Sequence, residues 1–245
     1  MPVLAAPRVT STLAGKFHVE VFSAALEWLS GSDGPRGEEQ QMSTTGTATA
    51  ASRRTPATKG ERRRQQILDR ALDVFDERGF EGTSLRALGE AIGVSHAALR
   101  HYFDSREHLL LEVLRAADAR ALTFAARSDQ GAVDFMLRGA DYNMSIPGLM
   151  ALYNTMAASA LERGHETSKA FFVERYAHIR RALAAVFEVG QEQGTVRQDI
   201  SVDDAAALVV AACDGLATQW LIDARVDMRS AMQLLDRLLG TSSEG

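Results

Sequence analysis

The sequence predicts an all-α protein, and three observations carry that expectation. Long stretches are rich in Ala, Leu, Glu and Arg, while the chain holds only five prolines and 7% aromatic residues. Apolar residues recur at helical spacing, and no convincing two-residue alternation marks a half-buried strand. The 245 residues, 46% of them hydrophobic, can form a small domain joined to a larger one.

Residues 1–58 read as an extension of the fold. Phe17–Leu29 can form a short helix, but Glu20 and Glu27 interrupt the apolar core that a secretory signal requires. Gly31–Gly37 breaks that helix, and residues 43–58 have the small, polar, low-complexity composition of a disordered segment. Met42 directly precedes that stretch and is a candidate translation start, with residues 1–41 then untranslated.

From Lys59 the pattern sharpens. Ile67, Ala71 and Phe75 recur every four residues, flanked by Leu68, Leu72 and Val74, and Arg78-Gly79 supplies a helix stop. After Gly82, Thr83 or Ser84 can cap a short helix, Leu85–Ala91, with Leu85 and Leu88 turned inward. In Ile92-Gly93-Val94-Ser95, Gly93 permits a positive φ, Val94 plugs the core and Ser95 caps the next helix. That helix, His96–Phe103, sets Leu99 and Phe103 against the core, with His96, Ala97, Arg100 and His101 largely opposite. Asp104 or Ser105 caps a longer helix from Arg106, and Asp104 and Glu107 have capping-box spacing.

Helical stretches follow near 105–127, 131–144, 148–163, 167–193, 202–223 and 227–239. The fourth carries a stripe of Phe172, Tyr176, Ile179, Leu183 and Val186, with Glu174, Arg175, Arg180 and Arg181 outside it. Ser201 and Asp204 form a capping box for the fifth, which is apolar nearly all round. The expected organisation is therefore 1–58 extension, 59–106 helix-turn-helix domain, and 107–245 helical regulatory and dimerisation domain.

Charge distribution narrows the function. The net charge is −5, yet residues 52–64 carry six cations against Glu61, leaving −10 for the remainder. A basic block on an acidic body suits a polyanion, although such a run also occurs in solvated tails. Cys213 is the sole cysteine, which excludes an intrachain disulfide, fits a reducing cytoplasm, and reads as a small buried hydrophobe. No metal-ligand spacing, cofactor motif, phosphate loop or activated nucleophile stands out, so no metal, no cofactor and no enzymatic activity are expected. The longest apolar run, Ala205–Cys213, is too short to span a bilayer, so no membrane partner is expected.

Two short helices joined through a glycine turn and braced by a longer one make a helix-turn-helix, whose second helix fits the major groove. Ala97 and Ala98 permit close approach, Ala98 can meet a thymine methyl, and Arg100 can donate two hydrogen bonds to guanine. His96 and His101 are candidate base or phosphate contacts. Thr83, Ser84 and Tyr102 offer hydroxyls to phosphates, and Lys59, Arg62, Arg63, Arg64 and Arg106 add non-specific attraction. A hairpin that packs only on protein is the alternative. The exposed Arg and His pattern favours double-stranded DNA.

The segments Arg64–Leu85 and Ala91–Leu110 resemble the opening of the tetracycline-repressor (TetR/AcrR) family, in register and without a gap over about residues 60–115. The resemblance implies that Thr83, Ser84, Arg86, Ser95, His96, Ala97, Ala98, Arg100, His101, Tyr102 and Arg106 face DNA. Departures are Arg100 where an aromatic is usual, Ala97 where Gly is frequent, Asp104 where Pro is common, and Arg106 where Lys is usual. The altered base reader bars any carry-over of an operator sequence.

The fifth stretch, with Leu208, Ala212, Leu216 and Trp220, and the last, with Met228, Met232, Leu235 and Leu239, can either pair across a two-fold axis or fill an intrachain core. The resemblance favours the homodimer. Residues 135–156 concentrate Met136, Met144, Met150 and Met156 with Phe135, Tyr142 and Tyr153, which suits either an adaptable apolar pocket or an irregular core. Pro147-Gly148 breaks the helix there. The resemblance implies a small-molecule effector in this region, with Phe135, Tyr142, Met150, Tyr153, Met156 and Tyr176 as candidate pocket residues. The expected function is a cytoplasmic DNA-binding repressor released by that effector. An activator, a ligand-independent DNA binder and a helical protein-binding adaptor are the alternatives.

Overall fold

The computed structural model describes residues 58–78, 85–125, 131–146 and 148–241, and among these every regular element is a helix apart from one isolated bridge, Val196 to Gly240. Outside the described residues fall Phe17–Leu29, Met42 and the low-complexity segment to residue 57. Gly79, Gly82, Thr83, Ser84 and Pro147 also fall outside, as do the side chains of Phe75, Arg78 and Leu85.

Helix α1 (Lys59–Arg78) opens with a complete capping box. Thr58 Oγ1 accepts from the Glu61 amide at 3.2 Å, and the Glu61 carboxylate accepts from the Thr58 amide at 2.6 Å. These hydrogen bonds hold the Glu61 carboxyl below its ordinary range. Thr58 therefore belongs to the fold and not to the extension. The Thr-x-x-Glu signature was readable in the sequence.

Ile67, Leu68, Ala71 and Leu72 on α1 are buried with Leu88 and Ile92 of α2 (Leu85–Ile92), Leu99 of α3 (His96–Tyr102) and Phe103. Two glycines make the turn possible. Gly93 sits at φ +69°, and a Cβ on Gly89 would lie 2.7 Å from the Val94 carbonyl oxygen. The Val94 amide donates to the Gly89 carbonyl at 2.8 Å, so this close approach fixes how α2 meets the turn. Arg70 donates to the Ile92 carbonyl at 2.9 Å and ties α1 to the same place.

Helix α4 (Arg106–Ala125) carries the chain away from α3. Ser105 caps it, accepting from the His108 amide at 3.0 Å. The expected box with Asp104 does not form, because the Glu107 carboxylate is engaged elsewhere: Ser168 Oγ donates to it and His165 Nδ1 lies 3.3 Å away. Arg64 also departs from expectation. It pairs with Glu112 at 2.5 Å and lies over the Phe103 ring, bracing α1 on α4. Arg120 repeats that bracing from α4 to Asp69, at 2.9 Å.

The body comprises α5 (Ala132–Ser145), α6 (Leu149–Ser159), α7 (Glu166–Glu192), α8 (Val202–Ile222) and α9 (Met228–Leu239). Helix α6 ends short of residue 163. Leu161 is 90% exposed, Glu162 and Arg163 are polar, and Gly164 has φ +91°, so a further turn would bury nothing. On α7 the stripe buries Phe172, Leu183 and Val186, but Arg175 is only 9% exposed. That residue points inward because Asp118 awaits it. Ser201 caps α8, accepting from the Asp204 amide at 3.3 Å, and Asp227 caps α9.

The apolar core has two parts. One runs from α1–α3 through α4 into Leu149, Leu152 and Met156 of α6 and Phe171 and Phe172 of α7. The other joins Val133 and Leu137 of α5 to Leu183 and Phe187 of α7, Val209 and Val210 of α8, and Met232 of α9. Helix α8 is long and apolar enough to cross a membrane by length and composition alone, yet it packs chiefly on α7, with α9 and α5 beside it.

Candidate nucleic-acid interface and internal cavity

Helix α3 is built to present one face. Ser95 sits at its N-cap and accepts from the Ala98 amide at 3.2 Å. Leu99 is fully buried beneath it, which leaves His96, Ala97, Arg100 and His101 exposed on the far side. Ala98 and Tyr102 are half-buried and pack against the core, so their outer edges alone can reach a partner. The Tyr102 ring meets His101 edge-on at 5.0 Å. Among the flanking cations, Lys59, Arg62, Arg63 and Arg106 are exposed. Arg63 reaches Gln66 at 3.3 Å, and Arg86 is exposed but turned to Glu90 at 3.0 Å. Arg64 leaves this group through its pairing with Glu112.

Exposed cations around a helix small enough to enter the major groove can meet phosphates, while Arg100 and the imidazoles can meet base edges. Ser95 contributes through the cap it forms. Its hydroxyl is already used by Ala98.

A cavity of about 160 Å³ lies where α4, α5, α6, α7 and α8 converge. Phe135, Met150, Tyr153 and Tyr176 line it. Two other expected pocket residues do not. Met156 is buried in the first core, and Tyr142 tilts onto Phe124 at 5.9 Å, outside the lining. The sequence reading missed the polar wall: Asp118, Asn143, Arg175 and Asp214. An arginine adjoining an apolar stripe and an aspartate ending an apolar run were the only available signals.

That wall is ordered. Arg175 Nε donates to Asp118 Oδ2 at 2.9 Å and its Nη2 to Oδ1 at 3.2 Å. The single Tyr153 O–H is shared between Asp118 at 2.8 Å and the Leu114 carbonyl at 3.0 Å. The guanidinium lies over the Tyr153 ring at 4.7 Å and the Tyr176 ring at 5.8 Å. Burial, chiefly, drives the Tyr153 phenol upward, and it lifts Tyr176 to about 12 with Asp214 adding to the shift. Burial also raises the Asp214 carboxyl, against the pull of Arg175 and a hydrogen bond from Tyr176. Burial lifts the Cys213 thiol to about 12, so it rests as an unreactive thiol. Among the described residues no cluster of His, Cys, Asp and Glu is arranged to hold a metal ion.

A third surface lies on α8 and α9. Leu208, Ile222, Leu234 and Leu238 are exposed, Ile222 by 83%. Of the seven residues expected at a subunit contact, Leu208 is exposed, and Ala212, Leu216, Trp220 and Leu235 are half-buried. Met232 and Leu239 instead fill this chain's own core, because α9 turns them onto α8 and α5. Leu234, two positions beyond Met232, and Leu238, one turn further on, take the outer face.

A groove-sized cationic helix on an all-helical body with an internal cavity defines a DNA-binding transcriptional regulator. Residues 67–113 match the bacterial regulatory proteins of the tetR family, and residues 156–242 match the C-terminal part of BetI-type transcriptional repressors. The HTH-type transcriptional repressor AcnR of Corynebacterium glutamicum is 26% identical over 178 residues, covering 73% of this chain and 91% of that protein. A TetR transcription regulator from Haloarcula marismortui shares the fold with a TM-score of 0.61 at 17% identity, over 74% of this chain and 99% of that one. A transcriptional regulator from Saccharomonospora viridis, solved in complex with choline, does so with a TM-score of 0.57 at 21% identity, over 74% and 98%. The chain belongs to the tetR family of bacterial regulatory proteins.

Proposed function

We propose that the protein is a cytoplasmic, homodimeric transcriptional repressor, and not an enzyme, that leaves its operator when a small molecule fills the cavity. Residues 59–106 would read DNA, and the rest of the described chain would bind the effector and the second subunit. The observation that carries the reading is the placement of α4. Its first residue, Arg106, follows closely on α3, and Asp118 on the same helix lines the cavity. A helix rises about 1.5 Å per residue, so these residues lie roughly 18 Å apart on one rigid element.

A ligand that binds better to one position of α4 shifts the population toward it, and with it the separation of two recognition helices across a dimer. The bare leucines of α8 and α9 supply a surface on which two copies can pair. The choline complex of the Saccharomonospora viridis regulator is consistent with a body of this fold holding a small molecule.

The test is binding to promoter fragments flanking the protein's own gene, followed across a salt series. A repressor that neutralises several phosphates loses affinity steeply with salt, and the logarithmic slope counts those phosphates. Flat salt dependence, or equal affinity for every fragment, would reject the reading.

A further inference from the structure

Given the effector reading above, the charge balance of the cavity bears on what fills it. Three charged side chains stand in the wall. Asp118 and Arg175 form a bidentate pair, with Tyr153 adding a third donor, so both Asp118 oxygens are occupied. Asp214 remains. Tyr176 donates to it, but Arg175 turns its paired edge to Asp118 and acts on Asp214 through space. The imidazole of His178 adds no charge, since burial and Arg181 favour its neutral form. Burial disfavours the ionised form of Asp214; once ionised, it leaves the wall one negative charge in excess in a largely apolar space, a cost that a bound cation relieves.

Asn143 adds a hydrogen-bonding group to the same wall. Asn143, only 7% exposed, lines the cavity, and its Oδ1 accepts no hydrogen bond among the described residues. Asn154 is satisfied, donating to the Met150 carbonyl and accepting from Thr218. Asn143 thus offers an acceptor to a ligand N–H, while the Arg175 N–H groups not turned to Asp118 offer donors, so the net charge of the wall decides between ligands. The aromatic wall tolerates a cation, because Arg175 already rests on two of its rings.

We infer that the cavity takes a small amphiphilic monocation, an apolar body bearing one ammonium group, and that Asp214 is the countercharge selecting it. An anion drawn to the remaining N–H groups of Arg175 is the rival, and it would leave three negative charges facing one positive.

The test uses the full chain and matched probes: phenethylamine, phenethyl alcohol and hydrocinnamate, with hexylamine, hexanol and hexanoate as an alkyl set. Calorimetric titration should give the amines at least tenfold tighter binding than the alcohols, with the carboxylates weakest. Asp214→Asn, which preserves volume, should close the gap between amine and alcohol. Tighter binding of an alcohol or carboxylate in the wild-type protein would overturn the charge assignment and leave the cavity as an effector site. Absence of binding by every probe would overturn the effector reading too. Should Asp214→Asn fail to fold, the wild-type series alone decides. A folded Asp214→Asn that keeps the amine preference would remove Asp214 as the selector.

Discussion

Among the described residues, the outer face of α3 and the outer face of α8–α9 are both uncovered, and their chemistry is opposite. Helix α3 exposes His96, Arg100 and His101 over a single fully buried anchor, Leu99. Helices α8 and α9 expose Leu208, Ile222, Leu234 and Leu238 over a broad row of buried Ala, Val and Met. Polar groups bare to water cost nothing until a charged partner arrives, whereas apolar groups bare to water already favour one. The first face suits a reversible, salt-sensitive partner. The second suits a lasting one.

Charging the apolar face should give the largest effect. Leu234→Glu with Leu238→Glu is expected to weaken pairing of two copies by about a hundredfold or more, since central apolar anchors each contribute about 2 kcal/mol. Light scattering after gel filtration reads the mass, and operator binding should fall with it. A doubly substituted protein that stays dimeric would place the contact elsewhere.

On the cationic face, Arg100→Ala should cost roughly 1–3 kcal/mol on the cognate site and little on random DNA. Equal loss on both, in mobility shifts, would recast Arg100 as a phosphate contact. Ser95→Ala removes the α3 cap and should lower stability by about 1 kcal/mol, read as a shifted urea midpoint at unchanged slope. Lys59→Ala should be mildest, weakening all DNA alike and reducing the salt slope by about one.

The head was legible because its signals are local. Gly93, the Ser95 cap and the spacing of Leu99 to Phe103 each act within one turn of helix, and the structure places all of them as read. The cavity was only half legible. Aromatic and methionine content picked out Phe135, Met150, Tyr153 and Tyr176, but Met156 is packed into the first core and does not line the cavity. The Asp118–Arg175 pair spans 57 residues, and nothing near either partner announces the other. Likewise α9 exposes Leu234 and Leu238 because Met232 and Leu239 were drawn inward, a choice set by where α5 and α8 stand.

The way α3 is seated bears on how readily such a protein changes its target. Leu99 holds the helix down, and the residues that would touch bases are exposed outside the core. Exchanges at His96, Ala97, Arg100 and His101 should each alter folding stability by no more than about 0.5 kcal/mol, the ordinary range for exposed sites. Gly89 has no such freedom, since any side chain there collides with the Val94 carbonyl. The lettering can be rewritten while the type-holder stays fixed, so new operators are reachable by single substitutions without passing through an unfolded intermediate generation.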